Sequence, residues 1–333
     1  MLMLRRLMSL LLCLALCLPS LALAQEEELK PIFRVQLKSE TTLRTEPDKN
    51  GSRIVKIPRH VPVDVYEYGD EWCYCGYNGK TGYMLTKQLY EFWRLADQDV
   101  PNFQRTVGIA RMTATVEASN EEYTDPTTLE AGDVVALLDA SGVAPMYRST
   151  FTLPEGSFDY EPFVPVEQSV PGDLISAFST WYDGSPSHRL YINRIVNIEM
   201  ACSRVNGVTL LPGEQYSMNT TIGPYSKSNG YKEAPTTGAS PSGYGGGTCQ
   251  VTTTLFSAIL GLYGMQIDVW NVHSRDGAKY VPLNMDALVS GSSDLVFTNT
   301  YDFPVTFRMD CRGGVMTTLI YHGTLEEVPE LAF

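Results

Sequence analysis

Gly245-Gly246-Gly247-Thr248-Cys249-Gln250 is the stretch on which the reading of this chain turns. Three glycines run straight into a single cysteine, and an apolar-periodic segment follows at once. Val251, Leu255, Phe256, Ile259, Leu260 and Tyr263 recur at helical spacing, which predicts a helix over residues 249–263. The run Val251-Thr252-Thr253-Thr254 has low intrinsic helix propensity, so this helix needs support from packing. Cys249 then sits at a helix N-terminus, where unpaired N–H groups and the positive end of the dipole stabilise a thiolate. The glycines allow close backbone approach and dihedrals closed to other residues. Two readings stay open on these residues alone: a nucleophile, or a buried structural thiol, since free cysteine is among the most buried residue types.

Working outward, the N-terminus carries Arg5 and Arg6, an apolar run over residues 7–18, and Ala22-Leu23-Ala24. This order predicts a secretory signal peptide over residues 1–24, too short to anchor in a membrane. The expected product is exported and either extracellular or cell-wall associated. The net charge is −13, and loss of Arg5 and Arg6 makes it more negative still. An acidic chain without basic clusters argues against nucleic-acid and anionic-membrane partners. Five cysteines follow the leader: Cys73, Cys75, Cys202, Cys249 and Cys311. An odd number leaves at least one thiol unpaired. Cys73 and Cys75 would share one strand face, a poor geometry for a mutual bridge. A Cys202–Cys311 bridge is compatible with the count.

Residues 30–95 read as short strands broken by turns: Ile54-Val55-Lys56-Ile57, Val63-Asp64-Val65-Tyr66, Trp72-Cys73-Tyr74-Cys75 and Gly82-Tyr83-Met84-Leu85. Asn78-Gly79 is a two-residue hairpin signal. Leu43-Arg44-Thr45-Glu46-Pro47, Gly69-Asp70-Glu71-Trp72 and Asn78-Gly79-Lys80-Thr81-Gly82-Tyr83-Met84 resemble the bacterial SH3-type domain. That resemblance implies a small all-β barrel of a kind that commonly binds wall peptides. Trp72 is expected in its core. Residues 100–168 hold candidate strands at 113–116 and 134–138 and compose either a plain middle region or a second, degenerate barrel. Residues 155–166, rich in Pro, Glu and aromatics, read as a linker. Residues 172–325 form a third unit, with a helix over 187–205 ended by Asn206-Gly207. A loop rich in Gly, Ser, Asn and Pro spans 220–247, and an alternating strand over 266–272 delivers His273.

A cysteine nucleophile needs a base or an electropositive setting. Of His60, His188, His273 and His322, the third ends the strand that returns from the Cys249 helix, so one turn can bring the two together. A carboxylate could orient the imidazole; Asp286 is the first choice and Asp276 the second. Backbone N–H groups at Cys249 could form an oxyanion hole. Arg194 or Arg275 could hold a substrate carboxylate in a bidentate way, or make a plain surface ion pair. Metal-ligand spacing, a phosphate-binding loop and a Gly-x-Ser-x-Gly elbow are missing from the sequence, so no cofactor or metal is expected.

Arg194 with Asn197, Asn206-Gly207, Leu211-Pro212-Gly213-Glu214, Gly223-Pro224, Asn229-Gly230-Tyr231 and the Gly245–Gln250 stretch resemble, in order, the VanW family. His273-Ser274, Tyr280-Val281-Pro282, Asp286-Ala287 and Asp294-Leu295 with Asn299 continue the match, which covers roughly residues 172–310. The family takes its name from vancomycin-resistance clusters. Some members are regarded as cysteine L,D-transpeptidases that join peptidoglycan stem peptides. The resemblance implies Cys249 as nucleophile, with His273 and Asp286 behind it. It implies a stem-peptide site drawing on Arg194, Asn197, Gly246, Gly247, Gln250, Ser274, Arg275 and Tyr280. The expected architecture is α+β: a C-terminal mixed VanW domain preceded by one or two small all-β SH3-type barrels. Other functions compatible with these residues are a non-catalytic wall-binding accessory protein and a cysteine peptidase or amidase.

Overall fold

The computed structural model describes residues 33–59, 61–89, 106–121, 123–124, 126–236, 241–262, 264–273, 278–282 and 285–324. The expected signal peptide, His60, Ser274, Arg275 and Asp276 lie outside these residues.

The first unit is a six-stranded antiparallel sheet. Its strands are β1 (Phe33–Gln36), β2 (Thr41–Arg44), β3 (Arg53–Ile57), β4 (Pro62–Glu67), β5 (Trp72–Tyr77) and β6 (Lys80–Leu85). Their spatial order is β1-β4-β5-β6-β2-β3. Asn78 and Gly79 both take positive φ, 48° and 69°, between the closing pair Tyr77 and Lys80. This is the primed hairpin turn that an Asn-Gly pair favours. Val63, Val65, Cys73, Cys75 and Met84 point to one face and are buried with Leu37, Leu43 and Ile57. Trp72, expected in the core, falls on the other register position and is half-buried, because the period of two hands the core to Cys73 and Cys75. No ladder joins β1 to β3 among the described residues, so the sheet is not closed into a barrel by hydrogen bonds.

The regular structure of the middle region is mainly β, and among the described residues its strands form no closed barrel. Strands β7 (Gly108–Met112), β10 (Val134–Leu137) and β13 (Phe158–Pro162) form one antiparallel sheet in the order β10-β7-β13. A short pair, β8 (Val116–Ala118) with β9 (Thr127–Leu129), and a hairpin, β11 (Val143–Met146) with β12 (Ser149–Thr152), complete it. The linker expected over 155–166 therefore contains a strand. β13 lies at the sheet edge, where a terminal proline removes no needed ladder bond.

The C-terminal unit is built on a four-stranded antiparallel sheet of β14 (Leu174–Trp181), β22 (Val315–His322), β21 (Val305–Arg312) and β15 (Thr209–Leu210), in that order. All eight residues of β14 are buried, because both faces are covered. On one side lies helix α3 (Thr248–Ile259); Ser176 Oγ donates to Ala258 O at 2.7 Å. On the other lies the middle region. There Ile109, Val134 and Ala136 share a core with Leu174, Ala177 and Leu319. The Ala136 amide donates to Ser179 Oγ at 2.8 Å, and Thr317 Oγ1 donates to Val134 O at 2.6 Å. Helix α1 (Arg189–Val205) packs against β21 of this sheet, and the short α2 (Met218–Ile222) packs against α1. The loop expected over 220–247 holds a small hairpin, β17 (Glu233–Pro235) with β18 (Ser242–Tyr244). A second sheet, in the order β16 (Gln215–Ser217), β20 (Val296–Asn299), β19 (Met265–Val269), carries the chain from α3 towards His273. Cys202 and Cys311 are free thiols that lie against one another without a covalent bridge.

Helix α3 has no exposed face: ten of its residues from Gln250 to Ile259 are buried without interruption. Burial on all sides is what offsets the poor propensity of its threonines. Each hydroxyl is satisfied inside the helix: Thr252, Thr253 and Thr254 donate to the carbonyls of Thr248, Cys249 and Gln250 at 3.0, 2.8 and 2.8 Å. Threonine back-bonding of this kind spares the buried oxygens the cost of being unpaired.

Candidate active site

The glycine run makes the mouth of α3. Gly245 and Gly247 take φ of 86° and 109°, in the left-handed region that glycine alone enters without strain. Gly246 passes so close to the β17 strand that a Cβ there would stand 2.3 Å from Pro235 O. Gly247 caps the helix, and a Cβ on it would stand 2.8 Å from Ile198 Cγ1 and 3.1 Å from Arg194 O. Left-handed strain and overpacking add, so Gly247→Ala is expected to lower unfolding stability by about 2–4 kcal/mol, read by urea denaturation.

Two residues of α1 fix this mouth. Asn197 is fully buried and donates through Nδ2 to Lys232 O and Gly246 O, both at 3.0 Å. Its Oδ1 accepts from the Lys232 amide at 2.8 Å. The structure thus places Asn197 as a clamp on the glycine loop, with its polar atoms engaged by backbone. Asn197→Ala is expected to cost about 2–4 kcal/mol, since three backbone groups lose their partner in a dry setting. A urea titration checks this. Arg194 is half-buried and donates through Nη2 to Gln250 Oε1 at 2.6 Å. Gln250 in turn donates through Nε2 to Thr180 Oγ1 at 3.0 Å and Trp181 O at 2.8 Å. Gln250 therefore holds Arg194 in place and ties the helix start to β14.

Cys249 is half-buried at the N-terminus of α3, with Sγ 3.4 Å from Val289 O. The amides of Thr248, Gln250 and Val251 bond back to Gly245 and Gly247. Among the described residues no backbone acceptor takes the amide of Cys249, one of the unpaired amides of the helix start.

His273 arrives from β19. Trp270 stacks on Phe256 of α3 at 5.1 Å and donates through Nε1 to Asp286 O at 2.9 Å. Asp286 is fully buried. Its Oδ2 accepts from both the amide of His273 at 2.8 Å and the ring Nδ1 at 2.5 Å. A carboxylate accepts, so Nδ1 carries the proton and Nε2 is the nitrogen left for the sulfur. The imidazole is near enough to Cys249 for the charge of one to bear on the other. The neighbouring Ala287 is pinned to α3, its amide donating to Thr253 Oγ1 at 2.9 Å. Burial pushes the His273 pKa down, but the hydrogen bond to Asp286 and the nearby Cys249 outweigh it and raise the value to about 10.

Tyr280 stands on the same side. Burial first, then the negative charges that Cys249 and Asp286 can carry, push its phenol far up, so it remains a neutral donor. Burial likewise lowers the pKa of Arg194, while Tyr280, Tyr147, Tyr182 and Cys249 oppose that shift. The structure therefore gathers Cys249, His273, Asp286, Arg194 and Tyr280 in one place. Asn197, Gly246, Gly247 and Gln250 shape the loop and helix start around them. His188 instead caps α1, its Nδ1 accepting from the Leu190 amide, and His322 stacks on Phe303 at 3.8 Å. Sequence reasoning passed over Val289, whose carbonyl meets the sulfur and carries no sequence signal. It also passed over Tyr225, which is near enough for the charge of Cys249 to bear on its phenol. Among the described residues, no group of three or more His, Cys, Asp or Glu comes together to hold a metal ion. No described helix is long and apolar enough to cross a membrane.

Comparison with known proteins bears on the same region. Over 150 residues the chain is 33% identical to the protein described as "Uncharacterized protein YoaR" of Bacillus subtilis (strain 168). That stretch is 44% of this chain and 47% of the relative, so the chain spans about half the length of the curated relative it matches. Residues 193–321 match the model of the family described as VanW like protein. Arg194, Cys249, His273 and Asp286 all fall inside those bounds, and the chain thus carries a VanW-like domain.

Proposed function

We propose that this protein is an exported, cell-wall-associated enzyme that forms peptidoglycan cross-links by acyl transfer through Cys249. The observation that carries the reading is the order Asp286–His273–Cys249. A buried carboxylate fixes the Nδ1 proton, and the imidazole lies near enough to a half-buried thiol at a helix start for their charges to act on each other. In the first half-reaction the Cys249 thiolate, paired with the protonated His273 whose pKa is raised, attacks the carbonyl of a stem-peptide bond. The oxygen then carries negative charge, which the Cys249 amide and the helix N-terminus stabilise. The protonated imidazole gives its proton to the departing amine, leaving a thioester. In the second half-reaction an amine from a neighbouring stem attacks that thioester, His273 takes the amine proton, and Sγ leaves. Arg194 is the cation placed to receive the terminal carboxylate of the donor stem. We also read residues 33–89 as an SH3-type wall-binding unit. The tilted rings of Tyr66, Tyr74 and Tyr83, with centroids 6.1 and 5.0 Å apart, support this.

Incubation of the purified protein with disaccharide-tetrapeptide tests the reading. The expected products are a thioester adduct seen by intact mass and 3→3 dimers seen by chromatography. Excess added amine should divert product into its own adduct; release of free acid alone would point to hydrolysis and count against transfer.

A further inference from the structure

One part of the molecule near the site belongs to neither the VanW-like match nor the mechanism above. The β11–β12 hairpin of the middle region turns through Tyr147 and Arg148, between the closing pair Met146 and Ser149. Tyr147 takes φ of 54°, a left-handed conformation that is costly for a bulky aromatic residue. Tight tethering offsets that cost. Asn120 Nδ2 donates to Met146 O at 3.1 Å, and the Tyr147 ring stacks on Tyr123 at 4.4 Å. Trp181 Nε1 donates to Pro145 O at 2.6 Å. The carbonyl of Trp181 is the one that Gln250 grips, and Gln250 holds Arg194. A continuous hydrogen-bonded path therefore runs from this hairpin to the start of α3.

Arg148 makes a second link. Its Nε donates to Val281 O at 3.2 Å and its Nη2 to Ala278 O at 3.1 Å. The two carbonyls bracket Tyr280, which sits with Cys249 and Asp286. The Tyr147 phenol is near enough to Arg194 for each to affect the other's ionisation. Irregular backbone such as 278–282 has no ladder of its own to hold it, so a forked cation on two of its carbonyls decides where it lies.

We propose that the Tyr147–Arg148 turn is a wall of the Cys249 cleft. In this arrangement Arg148 is a positioning residue that seats Tyr280, and Tyr147, its ring stacked on Tyr123 beside it, is a binding residue for a peptide substrate. The cleft is then shared between the VanW-like domain and the middle region, and peptide recognition depends on both. The identity of the peptide as a wall stem rests on the function proposed above; the seating of Tyr280 does not.

The test uses the full chain with Arg148→Ala, Arg148→Lys and Tyr147→Asn. Asparagine accepts the left-handed turn, so that last change removes the ring and keeps the backbone. Two readouts apply. The first is the rate of Cys249 alkylation by iodoacetamide compared with a bulky biotin-maleimide. The second is calorimetric binding of a synthetic tetrapeptide stem to the same variants made on a Cys249→Ala background. Arg148→Ala should raise the bulky-to-small rate ratio at least fivefold, and Arg148→Lys should recover part of it. Tyr147→Asn should weaken peptide binding at least tenfold with the iodoacetamide rate within twofold. A rate ratio within twofold of the parent in Arg148→Ala together with an affinity within twofold of it in Tyr147→Asn would overturn the wall; should Arg148→Ala fail to fold, the Tyr147→Asn affinity decides. If the parent binds no stem peptide, the function proposed above fails, and the alkylation ratio alone decides the wall.

Discussion

Cys249→Ala is expected to abolish the thioester adduct and to lower 3→3 dimer formation by at least about 10³-fold, which corresponds to roughly 4 kcal/mol of barrier. The same change should barely touch the fold. The sulfur is half-buried and makes one weak hydrogen bond, to Val289 O at 3.4 Å. Its removal is worth about 1 kcal/mol or less. This separation of activity from stability distinguishes a nucleophile from a structural thiol. Cys202 offers the contrast inside the same chain: it is buried, packs on Met316 with its sulfur 3.2 Å from Sδ, and has its thiol pKa pushed well up, first by burial. Truncating Cys202 should destabilise the protein and leave adduct formation on the folded fraction intact. Intact-mass measurement of the adduct and thermal melts on both variants check the pair. Dimer yields from Cys249→Ala equal to those of the parent would remove the cysteine from the mechanism.

Much of this site was legible in the sequence, for identifiable physical reasons. Glycine at 245 and 247 answers a left-handed backbone, and a helix that starts at the very next residue, Thr248, must present Cys249 in its first turn. The strand after α3 alternates, so His273 returns beside the helix that its own Trp270 packs on. Asn78-Gly79 announced its turn in the same local way. The illegible parts are those set by contacts between distant segments. Nothing in the composition of residues 106–162 says that they share a core with Leu174, Ala177 and Leu319. The strand Phe158–Pro162 read as a linker because it lies at an edge, where proline and charge are tolerated. Asn197 and Gln250 look like substrate contacts by residue type. Their amides are occupied by Gly246, Lys232, Thr180 and Trp181, contacts that no local pattern encodes. Arg148 reaches Val281 across 133 residues of chain, beyond any periodicity argument.

Asp286→Asn should reveal the charge state of the site through its dependence on pH. The carboxylate accepts two bonds from His273 through Oδ2, while the buried Oδ1 has no hydrogen-bond partner among the described residues. Asparagine can keep one accepting oxygen, but its amide then faces the position where Oδ1 has none, and the full charge is lost. The imidazole is freed to adopt the other tautomer, so the rate of adduct formation should fall by about 10²–10⁴-fold. His273 should also titrate well below the present value of about 10. The sign of the stability effect follows from that shift. A histidine whose folded pKa is raised contributes stability that is complete below its ordinary pKa near 6.5, and that is lost as pH rises through about 10. The penalty for Asp286→Asn is therefore largest near pH 6 and shrinks toward pH 10, by at most about 1.4 kcal/mol per pH unit in that window. Urea denaturation of parent and variant at pH 6, 8 and 10 measures it, and the nitrogen chemical shifts of His273 give the two pKa values directly. A penalty that stays constant across that range would mean that the native imidazole is neutral and that Asp286 orients it without holding a charge.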